Sequence, residues 1–179
     1  MADVFVYTGN GGEIVPPDVR RVLVDPSVTS IPAEAFQRCK KLAEVELCEG
    51  LVEIGERSFR WCEHSIIKIN IPNSLRRIRD SAFARALQTP VHLHDDVENI
   101  GFGAFSSCIF TNFRVPPLIT VIARAMLSNC KAMFSAELPE SVIEIIGSAL
   151  FMCPCLRNVA FPPHVRMDAA FGDRVSGNY

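Results

Sequence analysis

One pattern of apolar residues recurs along most of the chain, and it constrains the fold more than any other feature. Its first column is the second apolar position of a short alternating segment, at Val24, Leu47, Ile71, Leu93, Val115, Leu138 and Phe161. The intervals between these positions are 23, 24, 22, 22, 23 and 23 residues. Such a period is the signature of a repeat architecture in which each unit buries its apolar face only against its neighbours. The sequence therefore predicts a solenoid of about six to seven coils over residues 22–165.

Two further columns keep the same phase. One is isoleucine, at Ile31, Ile54, Ile78, Ile100, Ile122 and Ile145, and the other is bulky, at Phe36, Phe59, Phe83, Phe105, Leu127 and Leu150. The alternation Val45-Glu46-Leu47 predicts a short strand that sends residues 45 and 47 into the core and residue 46 outward. We predict a core made of these two columns and of Val45, Leu47, Ile71, Leu93, Val115 and Leu138.

Five of the seven cysteines form a fourth column, three residues after the bulky position, at Cys39, Cys62, Cys108, Cys130 and Cys153. Ala86 fills this position in the third coil. Stacked coils would bring successive thiols about 4.7–4.9 Å apart, within disulfide distance. However, parallel side chains do not present their sulfurs to each other well, and zinc needs ligands that converge on a point. We interpret the column as core packing, with disulfides and zinc as the alternatives. Cys48 and Cys155 lie outside it, and Cys48, at a strand end, is expected to be exposed.

Three phrases link the columns: IPNSLRRI at 71–78, IGFGAFSSC at 100–108 and LPESVIEI at 138–145. They resemble the BspA-type leucine-rich repeat, and the resemblance covers about residues 22–165. It implies an α/β repeat solenoid, a curved array with short parallel strands on the concave face and short helical or 3₁₀ turns on the convex face. Members of that family are mostly surface proteins of bacteria or belong to large protist and algal sets, and they are presumed binders rather than enzymes.

The two ends stand outside the repeat. Residues 1–21 contain two apolar segments around Gly9-Asn10-Gly11-Gly12, and this predicts an N-terminal capping hairpin. The glycines match no phosphate-binding pattern, since no lysine follows them. Residues 166–179 form a predicted C-terminal tail without a recognisable cap, which is consistent with a truncated array.

Charge and composition exclude several classes of partner. The formal net charge of -2 gives no electrostatic basis for binding nucleic acid, and no apolar run reaches the roughly 18 residues that a membrane span needs. The first residues have neither a basic region nor a continuous apolar region, so no signal peptide is expected. An odd number of cysteines favours a reducing compartment. We expect a cytoplasmic monomer without a cofactor.

The outward strand positions are the candidate binding surface, on the expected concave face. The candidate residues are polar and of mixed charge: Glu46, Asn70, His92, His94, Arg114 and Glu137. His92 and His94 could supply two metal ligands, but the pattern places no third, so no metal site is predicted. No catalytic motif is found. The sequence predicts a non-catalytic module that binds a protein partner. The alternatives are a cell-surface adhesion-type repeat protein, or a fragment of one, and a degenerate scaffold without a partner.

Two surface features follow from the same register. Glu53 is expected to pair with Arg77, and Arg76 with Glu98, across neighbouring coils. Towards the C-terminus the corresponding flank becomes apolar, at Val121, Ile143 and Ile146, which predicts either a covered surface or, preferentially, a contact patch.

Overall fold

A computed structural model describes residues 4–167 as a solenoid of about six turns whose paired strands are all parallel. In chain order the strands are β1 (Val4–Tyr7), β2 (Arg21–Val24), β3 (Ser30–Ile31), β4 (Glu44–Glu46), β5 (Glu53–Ile54), β6 (Lys68–Asn70), β7 (Arg77–Ile78), β8 (Asn99–Ile100), β9 (Asn112–Arg114), β10 (Val121–Ile122), β11 (Ser135–Glu137), β12 (Glu144–Ile145), β13 (Asn158–Ala160) and β14 (Arg166–Met167).

Each regular coil contributes one strand of three or four residues and one of two residues. The longer strands form the sheets β1-β2-β4-β6 and β9-β11-β13, and the shorter ones form β3-β5-β7-β8 and β10-β12-β14. Val22 pairs with Val45, and Val45 pairs with Ile69, so equivalent apolar positions stack directly on each other. Alternation then sends the residues between them outward. We call the surface formed by the outward residues of the longer strands the long-strand face.

The sheet of longer strands is interrupted at residues 91–93, where the sequence predicted another strand. In neighbouring coils the first strand residue donates its N–H to the preceding coil, as in the 3.2 Å bond from Lys68 to the carbonyl of Ala43. Pro90 occupies that position in the fourth coil and has no N–H to donate. The Thr89 hydroxyl donates to the Ile67 carbonyl instead, at 3.1 Å. The proline therefore accounts for the break between β6 and β9.

The bulky column forms a continuous stack through the core. Phe36 and Phe59 lie 5.0 Å apart between ring centroids, Phe59 and Phe83 lie 5.1 Å apart, and Phe83 and Phe105 lie 5.5 Å apart, with nearly parallel rings. Tyr7 closes the N-terminal end edge-on against Phe36 at 5.0 Å. The predicted core residues are buried except for three that are half-buried against the core: Ile71, Leu138 and Cys153.

The predicted helical turns are wrong, because no helix forms among residues 4–167. Each bulky residue from Phe36 to Leu150 is flanked, two positions before and two after, by a residue with positive φ. A helix needs consecutive right-handed residues and hydrogen bonds from residue i to residue i−4. Here alternate N–H groups bond the next coil, as from Phe36 to the Ser58 carbonyl at 2.7 Å and from Phe59 to the Ala82 carbonyl at 2.8 Å. The fold is a parallel β-solenoid, and its turn side is a ladder of bonds between coils.

The predicted N-terminal hairpin is also wrong. β1 pairs in parallel with β2, with Val4 opposite Arg21 and Tyr7 opposite Val24, so it extends the sheet instead of folding back on itself. Of the predicted C-terminal tail, Arg166 and Met167 form β14, which pairs with β12. Residues 168–179 of that tail lie outside the described residues.

Candidate functional site

Four of the six predicted binding residues lie at outward strand positions of the long-strand face, and a fifth, His92, occupies the equivalent position in the interrupted coil. The strands align Glu46 with Asn70, and Arg114 with Glu137, on neighbouring coils. His92 lies in the coil between these pairs, outside any strand. His94 occupies the turn that follows it. Four of the six are exposed, at Asn70, His92, Arg114 and Glu137, and two are half-buried, at Glu46 and His94.

The Asn70 side chain forms hydrogen bonds within the protein. Its side-chain Nδ2 donates to the Leu47 carbonyl at 2.8 Å, and its Oδ1 accepts the Leu47 N–H at 2.8 Å. The side-chain amide thus pairs with both the N–H and the carbonyl of Leu47, the residue that directly follows β4. Asn70 therefore connects two coils, a role that the outward register alone did not predict.

The N-terminal part of the face is an alternating charge network. Arg21, Glu44 and Lys68 stand opposite one another on three adjacent strands. Glu44 lies 3.7 Å from both cations, and Arg21 also pairs with Glu46. These side chains are substantially exposed, so each pair contributes little stability, about 0–1 kcal/mol. The charges in this region compensate each other.

The central part of the face holds His92 and an exposed ion pair, and His94 lies in the adjoining turn. Arg114 Nη1 donates to Asp95 Oδ1 at 2.7 Å. His94 Nδ1 accepts the Asp96 N–H at 3.2 Å, and its Nε2 is buried without a hydrogen-bond partner in the part of the chain that the structure describes. Across residues 4–167, no group of three or more His, Cys, Asp and Glu side chains could hold a metal ion. The two histidines are therefore not brought together with a third ligand.

The relief of the long-strand face is shallow. One hollow of about 400 Å³ lies over β4 and β6, and another of about 580 Å³ lies over β11 and β13, beside Glu137 and Arg157. Both are formed between adjacent strands, since a stack of similar coils creates grooves instead of a deep cleft. Within the described part of the chain, no helix is long and apolar enough to span a membrane.

All seven cysteines are free, and the column packs in the core. From Cys62 onward, each thiol of the column donates to the carbonyl of the bulky residue in the preceding coil, as from Cys108 to Phe83 at 3.2 Å and from Cys130 to Phe105 at 3.3 Å. Burial raises the pKa of the Cys108 thiol to about 11. Outside the column, Cys155 is exposed, whereas Cys48 is half-buried and donates to the Asp25 carbonyl at 3.2 Å.

The predicted charge pairs are half right. Glu53 lies 2.8 Å from both Arg77 and Arg79, and these two guanidinium groups, Arg79 first, lower the pKa of the Glu53 carboxyl. Arg76 pairs with Asp96 at 3.5 Å, in place of the expected Glu98. On the apolar flank, Ile143 is exposed, and Val121 and Ile146 are half-buried.

The turn side carries a cluster that the sequence analysis missed. The Cζ atoms of Arg38 and Arg60 lie 4.7 Å and 4.5 Å from the ring centroid of Trp61. Arg38 and Trp61 occupy the same position, two residues after the bulky residue, on successive coils. The repeat register could have predicted this contact, because it places Arg38 and Trp61 side by side on neighbouring coils.

Comparison with known proteins agrees with the architecture. The sequence profile described as "BspA type Leucine rich repeat region" matches residues 18–89 and 78–172, in six copies. No curated protein sequence shows a significant match.

Solved structures show the same fold. A leucine-rich repeat protein from Bacteroides ovatus is 26% identical, with a TM-score of 0.65, over 82% of this chain and 46% of its own. The T. pallidum leucine-rich repeat protein is 21% identical, with a TM-score of 0.75, over 87% and 72%. The pneumococcal vaccine antigen PcpA is 20% identical, with a TM-score of 0.61, over 74% and 37%. The chain thus spans about half the length of the B. ovatus protein.

Proposed function

Because the chain belongs to the BspA-type leucine-rich repeat family, we propose that it is a non-catalytic protein-interaction module whose partner binds the long-strand face. The family resemblance implies that this face is concave. The observation that carries the proposal is the row of exposed polar residues on consecutive coils, His92, Arg114 and Glu137. At the spacing of stacked strands, outward positions from Asn70 to Glu137 extend over roughly 15 Å, enough for an extended segment or one helix face.

The centre of the row is assigned to His92 and Arg114. Asn70 and Glu46 are already engaged with Leu47 and Arg21 within the protein. Within residues 4–167, the exposed contact with Asp95 is the only ion pair of Arg114, and a pair of this kind adds little stability, so a partner can replace or extend it at small cost. Binding energy concentrates in a few interface residues, among which arginine is enriched.

The shape of the face supports a macromolecular partner. The hollows over β4–β6 and β11–β13 lie between adjacent strands and have no enclosing lid formed by the described residues. Small-molecule sites usually bury most of their ligand in a concave cavity. A peptide or protein surface that lies across several strands can contact these shallow hollows together.

The test compares three immobilised forms of the chain in lysate of the native cell: wild type, H92A/R114A and R124A/H164A. The last is a matched control, because it removes the same two residue types from exposed positions outside the long-strand face. Captured proteins are quantified by mass spectrometry, and the affinity of each enriched protein is then measured after purification. We expect H92A/R114A to weaken one partner at least about tenfold and the control to leave it within about twofold.

Two results would contradict the proposal. Loss of capture in R124A/H164A with full capture by H92A/R114A would move the binding site off the long-strand face. Equal recovery of all proteins on wild type and on blank resin would favour the scaffold without a partner. Circular dichroism of each variant verifies that the fold is retained.

We also propose a cytoplasmic location. It is supported by the cysteines, all free, of which four in the column are fully buried. Disulfides persist mainly in oxidising compartments, and reduced thiols are the rule in the cytosol. Fractionation of the native cell, followed by detection with an antibody, tests this location. Recovery at the cell surface would favour the adhesion-type alternative.

A further inference from the structure

The turn side of the first two complete coils carries four cations that form no ion pair with a carboxylate of the described residues. Arg38, Lys40 and Lys41 are exposed and Arg60 is half-buried. Among residues 4–167, no ion pair involves any of these four. This local charge of about +4 contrasts with the formal net charge of -2 for the whole chain.

The acidic residues nearby are already paired with other arginines. Glu34 pairs with Arg57 at 3.3 Å, and Glu63 pairs with Arg85 at 3.2 Å. Arg85 occupies the position of the third coil that is equivalent to Arg38 in the first and Trp61 in the second. Its charge is neutralised by Glu63, whereas the charges of Arg38 and Arg60 are not neutralised by any described residue. This cluster of unpaired positive charge on the turn side therefore lies on the first two coils and ends before Arg85.

Trp61 holds the two central arginines in place. Both guanidinium groups lie over its indole, and the Arg60 Nε is buried there without a hydrogen-bond partner among residues 4–167. A guanidinium that rests on an aromatic ring keeps N–H groups at its edge for a planar anion. Arg38 and Trp61 also have positive φ, of 63° and 62°, which is uncommon for large side chains. This arrangement orders the cations before any ligand arrives.

We propose that Arg38, Arg60 and Trp61, together with Lys40 and Lys41, form a second docking site that binds an acidic peptide segment. Carboxylates suit the paired guanidinium groups, because each can accept two parallel N–H bonds. Nucleic acid fits less well, because the only tryptophan of the chain has arginines over its ring where a base would stack. The proposal is independent of the long-strand face, since the residues lie on the turns.

The test uses a fluorescein-labelled peptide rich in Asp and Glu and the full chain at low ionic strength. Binding is followed by the anisotropy of the peptide and, with an unlabelled peptide, by the emission of Trp61, which reports on this site alone because no other tryptophan exists. We expect saturable binding that shifts the Trp61 emission and weakens as salt rises. A Gly/Ser peptide of the same length should cause no shift.

Variants locate the site. R38Q/R60Q should lose at least about tenfold in affinity, and R124Q/K131Q, which removes two other exposed cations, should stay within about twofold. R38K/R60K retains the charge but not the planar fork, so an intermediate affinity is expected, and it replaces the glutamine variant if that variant does not fold.

Three outcomes would overturn the proposal. One is the lack of saturable binding by wild type, and another is an equal affinity of R38Q/R60Q and R124Q/K131Q. The third is tighter binding of a single-stranded oligonucleotide of equal charge, which would identify nucleic acid as the ligand class.

Discussion

The Asn70 side chain makes two 2.8 Å hydrogen bonds with the backbone of Leu47, one donated and one accepted. It continues the backbone pairing of β4 and β6 at the point where both strands end, so an outward-facing residue contributes to the cohesion of two coils. Within the described range 4–167, the other exposed residues of the long-strand face have no such contact with a neighbouring backbone.

This relationship predicts that N70A destabilises the protein by about 1–2 kcal/mol, because the Leu47 N–H and carbonyl both lose a partner in a partly buried place. H92A, at the equivalent position of the next coil, should cost less than about 0.5 kcal/mol. Urea unfolding followed by circular dichroism measures both. Equal effects of the two substitutions would mean that the Asn70 contacts add no net stability.

The left-handed turns predict an unusual sign for a glycine substitution. Ala125 has a φ of 56°. In a helix, alanine to glycine costs about 1 kcal/mol, but at positive φ glycine relieves strain, so A125G should be neutral or stabilising. A125V should cost more than about 1 kcal/mol, because a β-branched side chain is disfavoured in this region. Thermal unfolding of both variants measures these changes in stability. A destabilisation of A125G as large as that expected for a helix would contradict the turn geometry.

The thiol column predicts an order of chemical reactivity. Maleimide reacts with the thiolate, and burial raises the pKa of the Cys39, Cys108 and Cys153 thiols to about 11 and the pKa of Cys62 and Cys130 further in the same direction. In the native protein at pH 7.5 to 8, Cys155 should label first, Cys48 more slowly and the buried column only after urea is added. Mass spectrometry without reductant would contradict the packing role by detecting a disulfide between Cys39 and Cys62.

The Glu53 ion pairs predict a small dependence of stability on pH. Because the Glu53 pKa is lowered in the folded protein, first by Arg79 and then by Arg77, the carboxylate stabilises the fold above its ordinary pKa. This contribution is lost as the pH falls through the lowered folded value. E53Q should cost under about 1 kcal/mol at pH 7, and the difference from wild type should shrink in acid. A difference that stays constant from neutral to acidic pH would exclude an ionic origin.

The sequence predicted the stack itself, because burial on successive coils selects the same residue type at the same place. Ile54 and Phe59 could be assigned to the core from this periodicity alone. It also predicted the pair between Glu53 and Arg77, which follows directly from the register.

The turns could not be predicted in the same way. Positions with positive φ are usually occupied by glycine or asparagine, which makes them recognisable in a sequence. Arg57 and Trp61 nevertheless adopt positive φ, because backbone hydrogen bonds between coils impose it. The break in the sheet had a readable cause in Pro90, which the columns of apolar residues do not include. The role of Asn70 depends on the distance of its amide from a neighbouring backbone, and no pattern of residue types contains that distance.

The central claim, that each coil buries its bulky residue against both neighbours, is tested most directly by comparing F59A with E137A. Phe59 is fully buried between Phe36 and Phe83, whereas Glu137 is exposed. Truncation of Phe59 should cost about 3–5 kcal/mol and that of Glu137 less than about 0.5 kcal/mol, measured as free energies of unfolding in urea. Small and equal shifts of the two midpoints would contradict the register on which the whole solenoid depends.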